Sequence, residues 1–133
     1  MNDCIFCQII EGKIPSYKVY EDENYFAFLD IHPLNPGHVL LIPKKHTLWV
    51  DEVESFSEYW SVAHKISGAI KNALQPELTG YVTYGLGVNH AHIHIIPKYP
   101  GDTHDIGWRP DHVKEVAPEE MIIIAEKIIQ QLK

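Results

Sequence analysis

The stretch His90-Ala91-His92-Ile93-His94-Ile95-Ile96-Pro97 places a histidine at every second position and then runs into apolar residues. A period of two is typical of a β-strand, whose side chains point alternately to opposite faces of a sheet. The pattern predicts a strand over 90–96, with the three histidines on one face and consecutive imidazoles about 6.5–7 Å apart. The apolar residues between them would point into the core.

Three imidazoles on one face allow three interpretations. A solvated sheet face also alternates polar residues, although Thr, Lys, Glu and Ser are its usual members. All three imidazoles could instead bind one metal ion. The third interpretation is chemistry on a phosphate, in which a neutral imidazole attacks phosphorus and forms a phospho-imidazole intermediate. Neighbouring histidines would then donate hydrogen bonds to the phosphate oxygens and protonate the leaving group.

Length and composition narrow the class of protein. The chain has 133 residues, which predicts a single domain over 1–133. With 45% hydrophobic and 22% charged residues, it has the balance of a soluble globular protein. No apolar run reaches the ~18 residues of a membrane span, and Met1-Asn2-Asp3-Cys4 lacks the features of a signal peptide. We therefore expect a cytoplasmic protein with no membrane partner.

The charge balance bears on possible ligands. The formal net charge is −7, and an acidic surface repels nucleic acid, so we expect no nucleic-acid partner. A small phosphate ligand remains compatible with this charge, because a local pocket can oppose the sign of the whole molecule. Nine histidines in 133 residues stand out in the composition, and imidazole titrates near neutral pH.

Short strands and separate helices predict an α+β fold. Helical periodicity begins at Ser55, where Ser55 and Glu58 have the spacing of a capping box, and a second helix begins at Pro118. The segment Gly101–Ala117 is polar and predicts an irregular surface loop, in which His104 is a candidate for lining the site. The result is an antiparallel five-stranded sheet with two helices. Its strands are expected over 16–20, 25–29, 38–42, 81–84 and 90–96.

The whole pattern resembles the histidine-triad (HIT) family, whose signature is His-φ-His-φ-His-φ-φ, with φ an apolar residue. Residues 90–96 match this signature throughout. Further matches follow in the order that the family has them. They are Cys4–Ile10, Val19–Asp22, Phe28–Ile31 and Pro36–His46.

The resemblance implies an enzyme that acts at the α-phosphate of a nucleotide conjugate. It would be a nucleotide-binding hydrolase or nucleotidyl transferase, working on a phosphoramidate or a dinucleoside polyphosphate through a nucleotidyl-histidine intermediate. By resemblance, His92 is the nucleophile, His94 contacts the phosphate, and His38 orders the triad. The alternative is a nucleotide-binding sensor or regulator with little turnover, and a metalloenzyme that uses all three triad histidines also stays open.

The resemblance also implies how a purine nucleotide would bind. Asp30 stands where the family binds ribose hydroxyls, a task that suits a carboxylate because it accepts from two hydroxyls at once. Asp30 could instead be a turn residue at the end of a strand. Ile31 and Phe28 would then form apolar walls for the base. Family members are commonly homodimers whose two sheets join into one of ten strands.

One segment departs from the family pattern. The family usually has Gly-Gln-Ser/Thr-Val before the triad, whereas this chain has Gly85-Leu86-Gly87-Val88. The polar side chains that would bind phosphate are missing, so we expect the backbone N–H groups of Gly85 and Gly87 to replace them. Leu86 would face the core or the apolar edge of the pocket. The loss of the polar side chains favours the sensor alternative.

Cys4 and Cys7 form a Cys-x-x-Cys motif. A redox motif would be expected within a βαβ unit, and a structural disulfide is unusual in the cytosol. Two buried, inert thiols are one interpretation. Zinc is another, and it needs two more ligands. Some family members complete such a site with two histidines that correspond to His46 and His90, which implies a structural Zn that anchors the N-terminal segment.

Overall fold

Five antiparallel strands form one sheet in the computed structural model, which describes residues 3–133; the expectation for Met1 and Asn2 lies outside that range. The order across the sheet is β1-β2-β3-β5-β4. The α+β prediction, with its five-stranded sheet, is confirmed. The strands are β1 (Lys18–Glu21), β2 (Tyr25–Leu29), β3 (Val39–Pro43), β4 (Leu78–Val82) and β5 (Ile93–Lys98).

Within residues 3–133, two long helices and one short helix accompany the sheet, one more helix than the two predicted. They are α1 (Ile5–Ile10), α2 (Phe56–Leu74) and α3 (Pro118–Leu132), with a 3₁₀ turn at Val50–Glu52. As expected, α2 ends before Pro76; the left-handed residue Gln75 follows its last residue, and α3 starts with Pro118 in its first turn. None of the described helices is long and apolar enough to cross a bilayer.

The two faces of the sheet are covered differently. One face packs on α2 and α3, where residues such as Leu41, Ile66 and Ile128 form the larger core. The other face packs on the short helix α1 through Phe6 and Ile9. Because Leu40 of this second core pairs with His94 across β3 and β5, strand alternation places His94 on the α1 side of the sheet.

Strand β5 begins later than the histidine pattern predicts. It starts at Ile93. The backbone N–H groups of His90 and Ala91, just before it, donate to loop carbonyls and not to a neighbouring strand. His90 N–H donates to Val88 and Ala91 N–H donates to Thr47. The prediction of a strand over 90–96, with three histidines on one face, is therefore wrong for His90 and His92, which precede the strand.

Two further local predictions are corrected. Strand β4 runs over Leu78–Val82 and not 81–84, because its pairing with β5 extends from Leu78 to Val82. Gly80 lies within this strand where Trp108 packs; a Cβ there would approach Trp108 to 2.9 Å. Ser55 precedes α2 but its side chain does not cap the helix. Its hydroxyl instead pairs with that of the buried Tyr25, which needs a partner away from water.

The segment 101–117 contains no helix or strand, as expected, but it is not entirely at the surface. Asp102 and His104 are only 5% and 3% exposed. The Asp102 carboxylate accepts hydrogen bonds from Asn35 and from the Lys98 ammonium, at 2.7 and 2.9 Å. These bonds hold the carboxylate in its charged form, so the pKa of Asp102 is well below its usual range even though burial acts to raise it.

Candidate functional site

A chain of hydrogen bonds fixes the tautomers of His38 and His94. His38 lies just before β3, and its Nδ1 accepts from Leu34 N–H at 3.1 Å. An imidazole nitrogen that accepts carries no proton, so the proton of neutral His38 is on Nε2. That Nε2–H donates to His94 Nδ1 at 2.9 Å. The proton of His94 is therefore on Nε2, which makes this nitrogen a hydrogen-bond donor.

His92 takes the opposite tautomer. Its Nδ1 lies 2.7 Å from the carbonyl oxygen of His90, which can only accept. Nδ1 therefore carries the proton, and Nε2 keeps its lone pair. The ring is buried between Phe6 and His94, with ring centroids 5.3 and 5.0 Å away. The site thus places a nitrogen lone pair on one imidazole beside an N–H donor on the next.

Burial keeps the imidazoles of His38 and His94 uncharged. It lowers the pKa of His38 to about 4, against the charge of Asp30, which acts to raise it. It also lowers the pKa of His94 to about 4. Both rings are consequently neutral at neutral pH, which the tautomer assignment requires.

The structure brings Asp30 to the triad. Its Oδ2 lies 3.6 Å from His38 Nε2, while its Oδ1 accepts from His32 N–H at 2.9 Å. The second contact is an Asx turn, so the turn role predicted as an alternative is present together with the contact to the triad. The residues on either side differ: Ile31 is 66% exposed, whereas Phe28 is buried with its ring edge against Phe6.

The glycine segment before the triad is open. Gly85 has φ +73°, a left-handed conformation that suits glycine. A Cβ added to Gly87 would meet no heavy atom of the described residues within 4 Å. Leu86 is 68% exposed, so it does not enter the core, and the core alternative predicted for it is wrong.

Four possible metal ligands, one of them the first histidine of the triad, lie close together. The sulfur and nitrogen atoms of Cys4, Cys7, His46 and His90 lie within 4.8 Å of one another. His90 Nε2–H donates to the Pro43 carbonyl at 2.8 Å, which leaves Nδ1 free of a proton and facing the Cys4 and Cys7 sulfurs at 3.4 and 3.5 Å. His46 Nδ1 lies 3.3 Å from Cys7 Sγ.

This cluster fits zinc. A tetrahedral ion bound at ordinary Zn–S and Zn–N lengths separates sulfur from nitrogen by about 3.6 Å, close to the distances observed. A hydrogen bond from the far side of a ligand imidazole to a carbonyl is the usual support for a metal-binding histidine, and His90 has it through Pro43. The four residues are those that the resemblance implied.

A second group of possible ligands does not fit a metal. Oxygen and nitrogen atoms of Asp30, His38 and His94 also lie within 4.8 Å of one another. His38 cannot offer Nε2 to a metal, because Leu34 N–H occupies Nδ1 and leaves the proton on Nε2. His90 turns towards the thiols, so a metal site that uses all three triad histidines, one of the alternatives left open by the sequence, is not formed.

Several contributors to the site had no signal in the sequence. The Leu34 N–H and the carbonyls of His90 and Pro43 are backbone groups, which a side-chain pattern does not reveal. Phe6 belongs to an apolar run and contacts His92 only because α1 folds over this face. His104 does not contact the triad itself; its Nε2–H donates to the Leu34 carbonyl at 3.1 Å.

The alternating histidines, together with His38 hydrogen-bonded to His94, define a histidine-triad site. The model of the HIT domain family matches residues 11–101, more than half of the chain. The chain therefore belongs to the HIT family, and the resemblance inferred from its motifs is confirmed.

Three relatives illustrate what the chain is similar to. The Protein hit of Bacillus subtilis is 41% identical over 98% of this chain and 94% of its own length. The adenosine 5'-monophosphoramidase hnt1 of Schizosaccharomyces pombe is 37% identical over 98% of both chains. A Zn-bound histidine triad family protein from Mycobacterium smegmatis superposes with a TM-score of 0.80, with 27% identity over 98% of this chain and 94% of its own.

Proposed function

We propose that this protein is a nucleotide-binding hydrolase or nucleotidyl transferase that acts at the α-phosphate of a nucleotide conjugate. The observation that carries the proposal is the opposite tautomers of His92 and His94, which pair a nucleophilic lone pair with an adjacent N–H donor. The S. pombe relative is named for a nucleoside phosphoramidate reaction, which favours phosphoramidates over dinucleoside polyphosphates as the first substrates to test.

In the proposed first step, the lone pair of His92 Nε2 attacks the α-phosphorus. A P–N or P–O bond to the leaving group breaks as the Nε2–P bond forms. The leaving group takes the bonding electrons and, for an amine, a proton from bulk water, which the proton released in the second step restores. His92 becomes cationic, and its Nδ1–H remains bonded to the His90 carbonyl. His94 Nε2–H donates to a phosphate oxygen, where negative charge builds up.

In the second step, water attacks the phosphorus of the nucleotidyl-histidine. The Nε2–P bond breaks, its electrons return to His92, and a nucleoside monophosphate and a proton leave. If another acceptor replaces water, the same step is nucleotidyl transfer. His38 contributes by accepting from Leu34 and donating to His94, which keeps the donor on His94 aimed by a buried hydrogen bond.

The nucleotide would be held by the residues around the triad. The Asp30 carboxylate binds ribose hydroxyls, and backbone N–H groups at Gly85 and Gly87 bind phosphate. Ile31 offers an exposed apolar surface to the base, whereas Phe28 is buried against Phe6. A purine is the base we propose, because the phosphoramidase relative is named for adenosine.

The same proposal includes a structural zinc ion held by Cys4, Cys7, His46 and His90. The ion would join α1 to the segment before β5 and supply no chemistry to the reaction. Reduced thiols are needed to bind it, which agrees with a cytoplasmic location. The fit of the four ligands and the Zn-bound M. smegmatis relative support this assignment.

We also propose a homodimer joined through β4. This strand pairs only with β5 within the described chain, so its other edge is left for a partner, and it exposes Leu78 and Tyr81. A second copy related by a two-fold axis would extend the sheet to ten strands. Light scattering at micromolar concentration should give twice the chain mass; a monomer would contradict the dimer.

The experiment that tests the function traps the intermediate. The protein is mixed with adenosine 5'-phosphoramidate and with a dinucleoside polyphosphate, AMP release is followed, and intact mass is measured after rapid quenching. One AMP group attached to the parent protein, and none to His92→Ala, supports the mechanism. AMP release that persists in His92→Ala contradicts it.

A second candidate function is a nucleotide sensor with little turnover. The exposed Leu86, at a position where the family has a polar side chain, favours it. Tight AMP binding without AMP release from either the phosphoramidate or the dinucleoside polyphosphate would support the sensor over the enzyme.

A further inference from the structure

The segment 102–117 follows the residues that the HIT model matches, yet its buried side chains hold the turn that supports His38. Asp102 Oδ2 accepts from Asn35 Nδ2 at 2.7 Å, and the same amide group donates to the Pro97 carbonyl at 2.8 Å. His104 Nε2 lies 3.1 Å from the Leu34 carbonyl. Side chains from outside the matched domain therefore take part in fixing the turn at 33–35.

The tautomer of His104 follows from its two partners. Arg109 N–H donates to His104 Nδ1 at 3.0 Å, so the proton of neutral His104 is on Nε2. Nε2–H then donates to the Leu34 carbonyl. Lys114 contacts both carbonyls of the turn: its Nζ donates to the Leu34 carbonyl at 3.3 Å, and its backbone N–H donates to the Pro33 carbonyl at 2.8 Å.

The two carbonyls belong to the peptide units on either side of the Leu34 Cα. The Pro33 carbonyl shares a planar peptide unit with the Leu34 N–H, which is the group that donates to His38 Nδ1. Fixing both units therefore fixes the direction of that N–H. The hydrogen bond in series with this donation comes from Lys114 N–H through the Pro33 carbonyl. His104 acts on the next peptide unit and contributes by restraining its position.

We propose that His104 is a positioning residue for the phosphate donor. By holding the Leu34 carbonyl, it keeps Leu34 N–H on His38 Nδ1, and so keeps the proton of His94 on Nε2. If His104 releases the turn, His38 Nδ1 is free to take a proton, His38 Nε2 becomes an acceptor, and His94 then places its proton on Nδ1. His94 Nε2 would face a phosphate with a lone pair in place of a donor. The role in catalysis rests on the proposed function, whereas the control of the tautomer does not.

Two substitutions separate the two hydrogen bonds of His104. His104→Gln retains an N–H₂ group that reaches as far as Nε2 and donates to Leu34, but gives up the acceptor for Arg109. His104→Asn retains an acceptor near the position of Nδ1 but is too short to reach Leu34. Each variant loses one buried bond, so a purely structural role predicts similar losses of stability in both. His112→Phe, in the same segment, is the control, because the His112 bond goes to Thr103 and not to the turn.

The first measurement is the imidazole ¹⁵N spectrum without ligand, with the His94 signals identified by comparison with His94→Gln. We expect the Nε2–H tautomer of His94 in the parent protein, His104→Gln and His112→Phe, and a shift towards the Nδ1–H tautomer in His104→Asn. The second is AMP release, with kcat in His104→Asn lower by about tenfold and KM within about twofold, as for loss of a supporting hydrogen bond. Melting temperature is recorded for every variant.

The outcomes separate the inference from the function. An unchanged His94 tautomer in His104→Asn overturns the inference, whatever the activity. Equal effects of the Gln and Asn variants on tautomer and kcat also overturn it, since they would indicate a structural role alone. If the parent releases no AMP from any substrate, the proposed function fails, and the tautomer shift still decides the role of His104.

Discussion

Two histidines of the same sequence pattern, His90 and His94, share the Nε2–H tautomer but turn opposite nitrogens towards their sites. His90 places its proton on Nε2 for the Pro43 carbonyl and presents the Nδ1 lone pair to two thiols. His94 uses its Nδ1 lone pair to accept from His38 and presents an Nε2–H donor. Both pKa values are lowered by burial. The partner of the far nitrogen, and not burial, decides whether such a histidine is suited to bind a metal or an anion.

The largest predicted effect is at His92, which lies in sequence between the two histidines compared. His92→Ala should lower turnover of adenosine 5'-phosphoramidate by at least about a thousandfold, because it removes the only proposed route through a covalent intermediate. AMP affinity, measured by calorimetry, should stay within a few-fold, since Asp30 and His94 remain. The exposed His64→Ala is the control and should match the parent. Turnover at the parent rate in His92→Ala would mean that the lone-pair imidazole is not the nucleophile.

The second prediction concerns the thiol side of the comparison. The purified protein should carry about one Zn²⁺ per chain, and Cys4→Ser should remove it and lower the melting temperature by about 5 °C or more. Turnover should fall less than in His92→Ala, because the cluster holds α1 and the backbone before β5 and does not touch substrate. His46→Ala should lose zinc in the same way. Metal-free parent protein with full stability would favour two inert thiols instead.

As the pH is lowered, protonation of His38 and His94 should reduce the stability of the fold before protonation of the carboxylates does. His38 and His94 have folded pKa values of about 4, below the 6.5 of an unfolded histidine. The unfolded state therefore binds more protons between pH 6.5 and 4, and stability falls as pH is lowered through that window. Asp30, His92 and His104 are the charged or titratable groups that act on the pair.

Denaturant unfolding at several pH values measures this loss. The double variant His38→Gln/His94→Gln should show a smaller decrease between pH 6.5 and 4 than the parent. Carboxylates contribute at lower pH: Lys18 and Lys44 lower the pKa of Glu21 to about 2, so its stabilisation is lost from about pH 4.5 downwards. An identical decrease in parent and double variant would show that the buried pair does not cause the effect.

The sequence predicted those parts of the molecule that side-chain patterns determine. The apolar strands and helices gave the five-stranded α+β fold, and the family motifs brought together the four thiol and imidazole residues that the structure clusters. It failed where backbone groups decide. The start of β5 depends on where the N–H groups of 90–91 bond, and the tautomer of His38 depends on the Leu34 N–H. Neither has a residue-type signature.

The predictions for the cap of α2 and for the loop after β5 failed for a related reason. Ser55 and Glu58 have the right spacing for a capping box, but the buried hydroxyl of Tyr25, distant in sequence, takes the Ser55 side chain. The polar composition of 101–117 predicted a surface loop, yet Asp102 is satisfied in the interior by Asn35 and Lys98. Long-range polar partners override a local pattern, because a buried polar group without a partner is unfavourable.

The smallest predicted effect concerns the glycine segment 85–88 before the triad. It tests whether the phosphate that His94 would contact also reaches this segment. Gly87→Val should weaken AMP binding by about 1–2 kcal/mol, the size of one hydrogen bond to a charged group, because the added side chain would block approach to the backbone N–H. The protein itself has room for it, since a Cβ at Gly87 meets no described atom within 4 Å, so the melting temperature should change little. Gly68→Ala, which also has space around it, is the control away from the site. Equal AMP affinity in Gly87→Val and the parent, measured by calorimetry, would place the phosphate contacts on the histidines alone.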